Sequence, residues 1–377
     1  MRFVLAPDKF KGSLTGLQFC NAVEEGLKKL IKKAEVIFIP LSDGGDGTIE
    51  ILKYHLKGKL VKVIVNDPLF RPIEASYLYM EDIKVAFIEM ASASGMALLK
   101  PKEQNCFNTT TLGTGEIILD AIKKGAKTII LGVGGSATND CGMGMATALG
   151  YKFEDENGKE LSPIGKNLLN IHKINTGEVS KIFKNIDFKV ASDVTNPLHG
   201  KQGAAYIYGP QKGASKKEIK HLDAGLKHIS NLFKKQFGKD IENTKGAGAA
   251  GGMGAGTMVF LNAKLQSGID LVKDLIDFDE KIKDVDWIIT GEGKLDNQTL
   301  SGKTIQGVLT SAKAKNIKVA AFCGALDLNA VEIKDFGIHY ADAVIKYAEN
   351  LEDAMENSEK YVKKIAEKFA ETLLLLQ

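Results

Sequence analysis

Arginine is nearly absent from this chain. Only Arg2 and Arg71 occur, and every other member of its 50 lysines and arginines is a lysine. Planar, bidentate clamps on carboxylate or phosphate are therefore almost unavailable. An anionic ligand has to be met by lysine ammonium groups, backbone N–H groups, helix N-termini or a metal. Other absences narrow the field further. There is no run of about 18 apolar residues, so no membrane-spanning helix is expected, and the apolar end Leu373–Leu376 is too short to be one. Cys20, Cys106, Cys141 and Cys323 lack CxxC spacing and read as buried free thiols of a reducing compartment. With no signal-peptide pattern at Met1–Asp8, the expectation is a cytoplasmic protein. The histidines scatter without His-Glu-x-x-His spacing, which leaves zinc without a ligand set; only His199 falls near a candidate loop. A net charge of +3 with no basic block gives no footprint for nucleic acid.

What is present is a strand–loop–helix alternation. Residues 2–7 predict a strand, 8–13 a loop and 17–32 a helix. Residues 36–40 then predict a second strand, 42–47 a second loop and 48–55 a helix. That is the pattern of a parallel sheet with right-handed crossovers. Three short strands with turn chemistry between them follow at 61–65, 73–79 and 85–89, an antiparallel meander that opens another domain. Alternation resumes with a helix at 109–124, a strand at 128–133, a glycine-rich loop at 134–140 and a helix at 143–149. A strand at 188–191, a polar loop at 206–213 and a helix at 216–237 come next. The low-complexity stretch 246–256 carries alanines among its glycines and predicts tight backbone contact rather than a flexible linker. A buried strand at 286–290, a helix at 305–314, a strand at 319–323 and a final strand and helix complete a second βαβ pattern. The expected architecture is α/β with two domains. Residues 1–65 plus 285–377 form a discontinuous Rossmann-like three-layer domain from both termini, and 66–284 form an inserted α/β domain.

Two nucleotide motifs are approached. Gly302-Lys303-Thr304 supplies the end of a P-loop, but Asn297 stands where the first glycine is needed. Gly132-Val-Gly134-Gly-Ser-Ala137 fits a dinucleotide fingerprint after a strand, with Glu154 and Asp155 about twenty positions on; it makes a nucleotide-dependent oxidoreductase the enzymatic rival. A small-molecule-binding regulatory protein is the non-catalytic one. The carboxylates Asp8, Asp43, Asp46, Glu89, Asp140, Asp193, Glu292 and Asp296 all follow predicted strand ends. Any one of them suits a helix cap. Eight together, with lysines and glycine loops, suit Mg²⁺ and phosphate.

Nine segments in order along the chain resemble the glycerate kinase type-1 family. They include Ala6-Pro-Asp-Lys-Phe-Lys-Gly-Ser13, Ser42-Asp-Gly-Gly-Asp-Gly-Thr48, Ile88–Gly95, Thr110–Gly115 and Gly134–Asp140. The others are Ser192–Leu198, Gly209–Ala214, Gly246–Gly252 and Thr290-Gly-Glu-Gly-Lys-Leu-Asp-Asn-Gln-Thr299. The resemblance implies ATP-dependent phosphorylation of glycerate to 2-phosphoglycerate, with Mg²⁺, in a cleft between two α/β domains of a monomer or homodimer. Two departures stand out: Ser192 where the family often has cysteine, and Asp46 where it often has glutamate.

On that basis Asp193, Asp296 and Lys9 are the expected catalytic residues, with Asp193 or Asp296 taking the hydroxyl proton or holding the metal. Asp8, Lys11, Glu292 and Lys294 are expected at the substrate, with Lys9 or Lys11 meeting its carboxylate. Gly134, Gly135, Ser136, Ala137, Thr138 and Lys212 are expected at the nucleotide phosphates, and Lys303 is a weaker candidate there. Asp43 and Asp46 are the further metal candidates.

Overall fold

The structure is a computed structural model, and it describes residues 1–375 except 46, 178, 180–182, 184 and 297–303. Asp46 and Lys303 thus lie outside the described residues. In chain order the strands are β1 (Arg2–Leu5), β2 (Glu35–Phe38), β3 (Lys59–Asn66), β4 (Pro72–Met80), β5 (Val85–Glu89), β6 (Thr128–Gly132), β7 (Lys152–Glu154) and β8 (Lys173–Asn175). They continue as β9 (Asp187–Ala191), β10 (Lys264–Gln266), β11 (Trp287–Thr290), β12 (Lys294–Leu295), β13 (Lys318–Cys323), β14 (Ala325–Leu326) and β15 (Tyr340–Ala343). The chain is mixed α/β with parallel sheets. It divides into two compact units, residues 1–55 with 267–377, and residues 56–266.

The terminal unit is built on a five-stranded sheet in the order β15-β13-β11-β1-β2, parallel throughout. Its strands are short apolar runs because both faces are covered. One face carries Phe3, Leu5, Trp287, Ile289, Ala320 and Phe322. Onto it pack the helices Gly16–Leu30 and Ser358–Leu375, through Phe19, Val23, Leu27, Val362, Ile365 and Phe369. Rings interlock there: Trp287 and Phe322 lie 5.0 and 5.7 Å from Phe369. The alternate residues Val4, Ile288, Val319 and Ala321 are buried outside that cluster, as a period of two requires. The helix Thr304–Ala314 packs against β11 and β13. The Gly16–Leu30 helix starts at a capping box in which Thr15 and Gln18 satisfy one another's backbone N–H.

The middle unit has a six-stranded sheet in the order β10-β9-β6-β5-β4-β3. Strands β5, β6, β9 and β10 are parallel, and β3-β4-β5 form the expected antiparallel meander. The helix Leu112–Lys123 packs its Ile117, Ile118 and Ala121 into the same core as Tyr77, Ile88 and Leu131. The boundaries differ from the sequence expectation. Residues 56–65 belong here because β3 pairs residue for residue with β4, and 267–284 belong to the terminal unit. The stretch 206–213, expected as a loop, takes in the end of the short helix Ala204–Tyr208 and a 3₁₀ turn at Pro210–Lys212. The helix expected from Thr109 starts at Leu112, because Thr109 and Thr111 spend their hydroxyls on Ala137 O and Asp140.

The low-complexity stretch does make tight contact. Ala249–Phe260 is helical apart from a kink where Ala250, Gly251 and Gly252 take left-handed φ of 51°, 71° and 88°. A Cβ on Gly251 would lie 2.1 Å from the Thr138 carbonyl oxygen. Gly251→Ala is therefore expected to destabilise the protein by about 3 kcal/mol or more, combining backbone strain with overpacking. A Cβ on Gly134 meets nothing within 4 Å, so Gly134→Ala is expected to leave the thermal midpoint unchanged. Equal midpoints for the two variants would refute this account.

Candidate functional site

In the terminal sheet the chain order reverses between β1 and β11, which are neighbours in the strand order. In open parallel sheets ligands bind beyond the carboxyl ends of the strands at such a reversal, because the flanking loops diverge there. A cavity of about 440 Å³ lies at that place. All five strands of the sheet send the segment after their C-terminal ends to its wall. Asp8, Lys9 and Lys11 follow β1, Asp43 and Gly45 follow β2, and Glu292 and Lys294 follow β11. Gly324 and Ala325 follow β13, and Val344 and Ile345 follow β15.

Pairing of β1 with β11 fixes the polar end. Asp8 N–H donates to Gly291 O at 2.9 Å, and the Thr290 hydroxyl donates to Ala6 O at 2.8 Å. The Asp8 carboxylate accepts from Lys9 N–H at 2.7 Å and from the Thr304 hydroxyl. Burial raises its proton affinity above the ordinary carboxylate range; the Thr304 bond opposes this, and the nearby Asp43 charge reinforces it. The Asp43 loop is held by Gly45 N–H donating to Asp43 Oδ1 at 3.0 Å. It is also held by close approach, since a Cβ on Gly268 would lie 1.9 Å from Asp43 O. Glu292 is buried beside the chain reversal, while Lys294 is held over the cavity by a 2.7 Å pair with Asp327. A short parallel pair of β12 with β14, which sequence reasoning missed, sets that lysine's position.

Asp8, Lys9, Lys11, Asp43, Glu292 and Lys294 are thus brought together. Asp296 lies 3.7 Å from Lys294 but does not line the cavity. Asp193 belongs to the middle unit, exposed just after β9. The apolar wall of Phe10, Val344, Ile345, Leu351, Ala354 and Met355 was not anticipated. Neither arginine is in the cavity: Arg71 is tied to Asp67 and Glu103, and Arg2 to Glu35.

The loop 134–138 lies in the middle unit. Gly134 and Gly135 are exposed and Ser136, Ala137 and Thr138 are buried. Ser136 forms an antiparallel bridge with Gly95, and Ala137 N–H donates to Ser94 O at 2.8 Å. The fingerprint reading fails here because no helix opens at the loop; the next one begins at Met143. Asp140 is a buried anchor that accepts from Thr111 N–H and Oγ1 and from the N–H groups of Gly142 and Gly144. Lys212 is only 4% exposed, and its Nζ donates to Ser136 Oγ at 2.6 Å and Thr138 O at 2.9 Å. It braces the loop from inside rather than presenting its charge to solvent.

Residues 3–374 match the profile of the glycerate kinase family. The chain belongs to the glycerate kinase family. It is 41% identical to a glycerate kinase of Halalkalibacterium halodurans, over 97% of each chain. It is 39% identical to the glycerate 2-kinase of Escherichia coli, over 100% of this chain and 98% of that one. A crystal structure assigned to glycerate kinase 2 of Salmonella typhimurium LT2 superposes with a TM-score of 0.89 at 38% identity, covering 100% of this chain and 98% of that one. Among the described residues no helix is long and apolar enough to cross a membrane.

Within this family member the Lys212 brace has a pH signature. Burial pulls its ammonium from 10.5 down to about 8, against the attraction of Cys106 and Asp140. Between those values the unfolded chain holds the proton that the folded one has lost. Stability therefore rises as pH rises through that window. The wild-type denaturation midpoint minus that of Lys212→Met is expected to increase from pH 7.5 to 10. A flat difference would show that Lys212 is not buried as described.

Proposed function

We propose that this chain transfers the terminal phosphoryl group of ATP to the 2-hydroxyl of glycerate, releasing ADP and 2-phosphoglycerate. The observation that carries the reading is the convergence of all five terminal-unit loops on one lysine- and carboxylate-lined cavity, in a chain related end to end to named glycerate kinases. We read the terminal unit as a Rossmann-like domain, with the middle unit as an α/β insertion. Four buried free cysteines support action in the reducing cytoplasm.

Phosphoryl transfer asks for positioning and charge neutralisation more than for covalent chemistry. Lys9 and Lys11 meet the glycerate carboxylate and Lys9 stays close to the reacting groups, while Asp8, Glu292 and Lys294 orient the hydroxyls. The Gly134–Thr138 loop takes the nucleotide phosphates, with Lys212 holding its shape. The glycerate hydroxyl attacks the terminal phosphorus as the bond to ADP breaks, and its proton passes to Asp193 or Asp296. Among the described residues no three His, Cys, Asp or Glu side chains converge on one point. Asp8 and Asp43 do repel one another, and Mg²⁺ typically takes only one or two carboxylates together with substrate phosphates. The pair fits that mode, with Asp46 as the further candidate. Bound there, the ion would neutralise phosphoryl oxygens.

Incubation with D-glycerate and Mg-ATP is expected to release ADP, and phosphorus NMR to show the 2-phosphate. Absence of ADP removes the proposal, and a 3-phosphate signal corrects the product. Loss of a general base costs about 10²–10⁴-fold in turnover. A drop of that size is expected in kcat for Asp193→Asn or Asp296→Asn. Near-normal turnover in both variants would remove the two residues from the chemistry.

A further inference from the structure

The cavity of the terminal unit has both charged and apolar lining, and glycerate accounts for only the charged part. Asp8, Lys9, Asp43 and Glu292 supply charge at the carboxyl ends of β1, β2 and β11. The same cavity is also lined by apolar side chains: Phe10, Val344, Ile345, Leu351, Ala354 and Met355. Three of these large side chains are left substantially in solvent, Leu351 at 68%, Met355 at 42% and Ile345 at 37% exposure. Exposed apolar side chains grouped on the wall of a concave site mark a surface that a ligand covers. A three-carbon acid with hydroxyls on its carbons has no apolar surface to offer such a wall. The volume of about 440 Å³ also lies in the range of roughly 300–1,000 Å³ that holds a drug-sized ligand.

The wall is built to stay in place. Leu351 and Met355 sit on the short helix Leu351–Glu356, whose N-terminus is capped by Asn350 Oδ1 accepting from Asp353 N–H at 3.0 Å. Ser13, next to the Lys9–Lys11 segment, donates through its hydroxyl to Met355 O at 2.8 Å and lies 2.5 Å from Ser358 Oγ. The lysine-bearing loop after β1 and the apolar helix are thus fastened to each other. A second, shallower recess shares Ser13, Leu351 and Met355 and continues the same surface outward.

We propose that this wall seats the adenine ring of the nucleotide, so that the terminal unit is the one that recognises the base of the phosphoryl donor. The inference rests on the kinase reading for the presence of a nucleotide, and on the cavity for where its base lies. A planar heterocycle has two apolar faces and a polar rim. It buries those faces on aliphatic and aromatic side chains, while the Ser13 and Ser358 hydroxyls border the same wall. The two large residues on the capped helix, Leu351 and Met355, are the base-specific part of the site. Neither is among the residues assigned to glycerate.

The test is a double variant, Leu351→Ala/Met355→Ala, compared with the wild type. Both side chains are exposed, so the fold is expected to be retained, and circular dichroism checks this. Titration calorimetry with ADP and steady-state kinetics are then run on both proteins. ADP binding is expected to weaken, and the KM for ATP to rise, by about tenfold or more, the size of effect that lost apolar contact in a binding pocket produces. The KM for glycerate is expected to stay within about twofold on the same principle, because its polar contacts are untouched. Inhibition by inorganic tripolyphosphate, which carries no base, is expected to be unchanged. Unaltered ADP binding overturns the inference, and so does a KM for glycerate that rises in step with that for ATP. A wild type that binds ADP but releases none from ATP overturns the kinase reading alone, and the ADP titration still decides where the base sits.

Discussion

The site hangs on the pairing of β1 with β11, two strands that meet from opposite ends of the sequence. Their register sets Phe3 opposite Trp287, Val4 opposite Ile288 and Leu5 opposite Ile289. It continues past the strands through Ala6 N–H to Ile289 O and Asp8 N–H to Gly291 O. No local turn can make such a contact. The chain entropy lost in closing so long a loop grows only logarithmically with length, though, and burial readily offsets it. Each fully buried large apolar side chain contributes about 1.5–3 kcal/mol, and both strands are apolar on both faces. Everything polar at the cavity inherits its position from this pairing. Asp8 stands beside Glu292 because their strands are neighbours, and the Thr304 hydroxyl reaches Asp8 because its helix packs on β11.

The middle unit achieves order by a different route. Its glycine-rich loop is backed by another glycine-rich segment, so main chain packs directly on main chain around Thr138 and Cys141. Such packing leaves no room for side chains to fill errors, and one long side chain braces the loop. Lys212 reaches in from its 3₁₀ turn and satisfies a hydroxyl and a carbonyl of the loop at once. A buried ammonium is costly, and the lowered proton affinity of this one reports that cost.

The sequence was most legible where both faces of a strand are buried. Runs such as Phe3–Leu5, Trp287–Ile289 and Val319–Phe322 have no alternation to confuse, and the loops after them carry acids and lysines. Asp8, Asp43 and Glu292 follow strands in the sequence pattern, Lys9, Lys11 and Lys294 came from the family resemblance, and a parallel sheet places all such loops on one edge. What escaped was non-local. Strand β3 exposes Leu60 and Ile64 and reads weakly by itself; its assignment to the middle unit comes from its partner β4. Lys212 was expected at the nucleotide phosphates, and its burial comes from neighbours distant in sequence, Ser136 and Thr138. The apolar wall was invisible because Leu351 and Met355 have the composition of any helix surface.

The discontinuity of the terminal unit has a consequence for how the protein is made. On a ribosome adding about 5–20 residues per second, β11 emerges roughly 15–60 s after β1. Through that interval Phe3, Val4 and Leu5 can pair on one edge with β2, yet their other edge and the face destined for the C-terminal helix stay bare. The middle unit is continuous in sequence and can complete its sheet in the meantime. The nascent chain therefore carries an unfinished, sticky N-terminal sheet ahead of a domain that can already be complete. Its most vulnerable moment comes late in translation, just before Trp287–Thr290 arrives to occupy the open edge of β1.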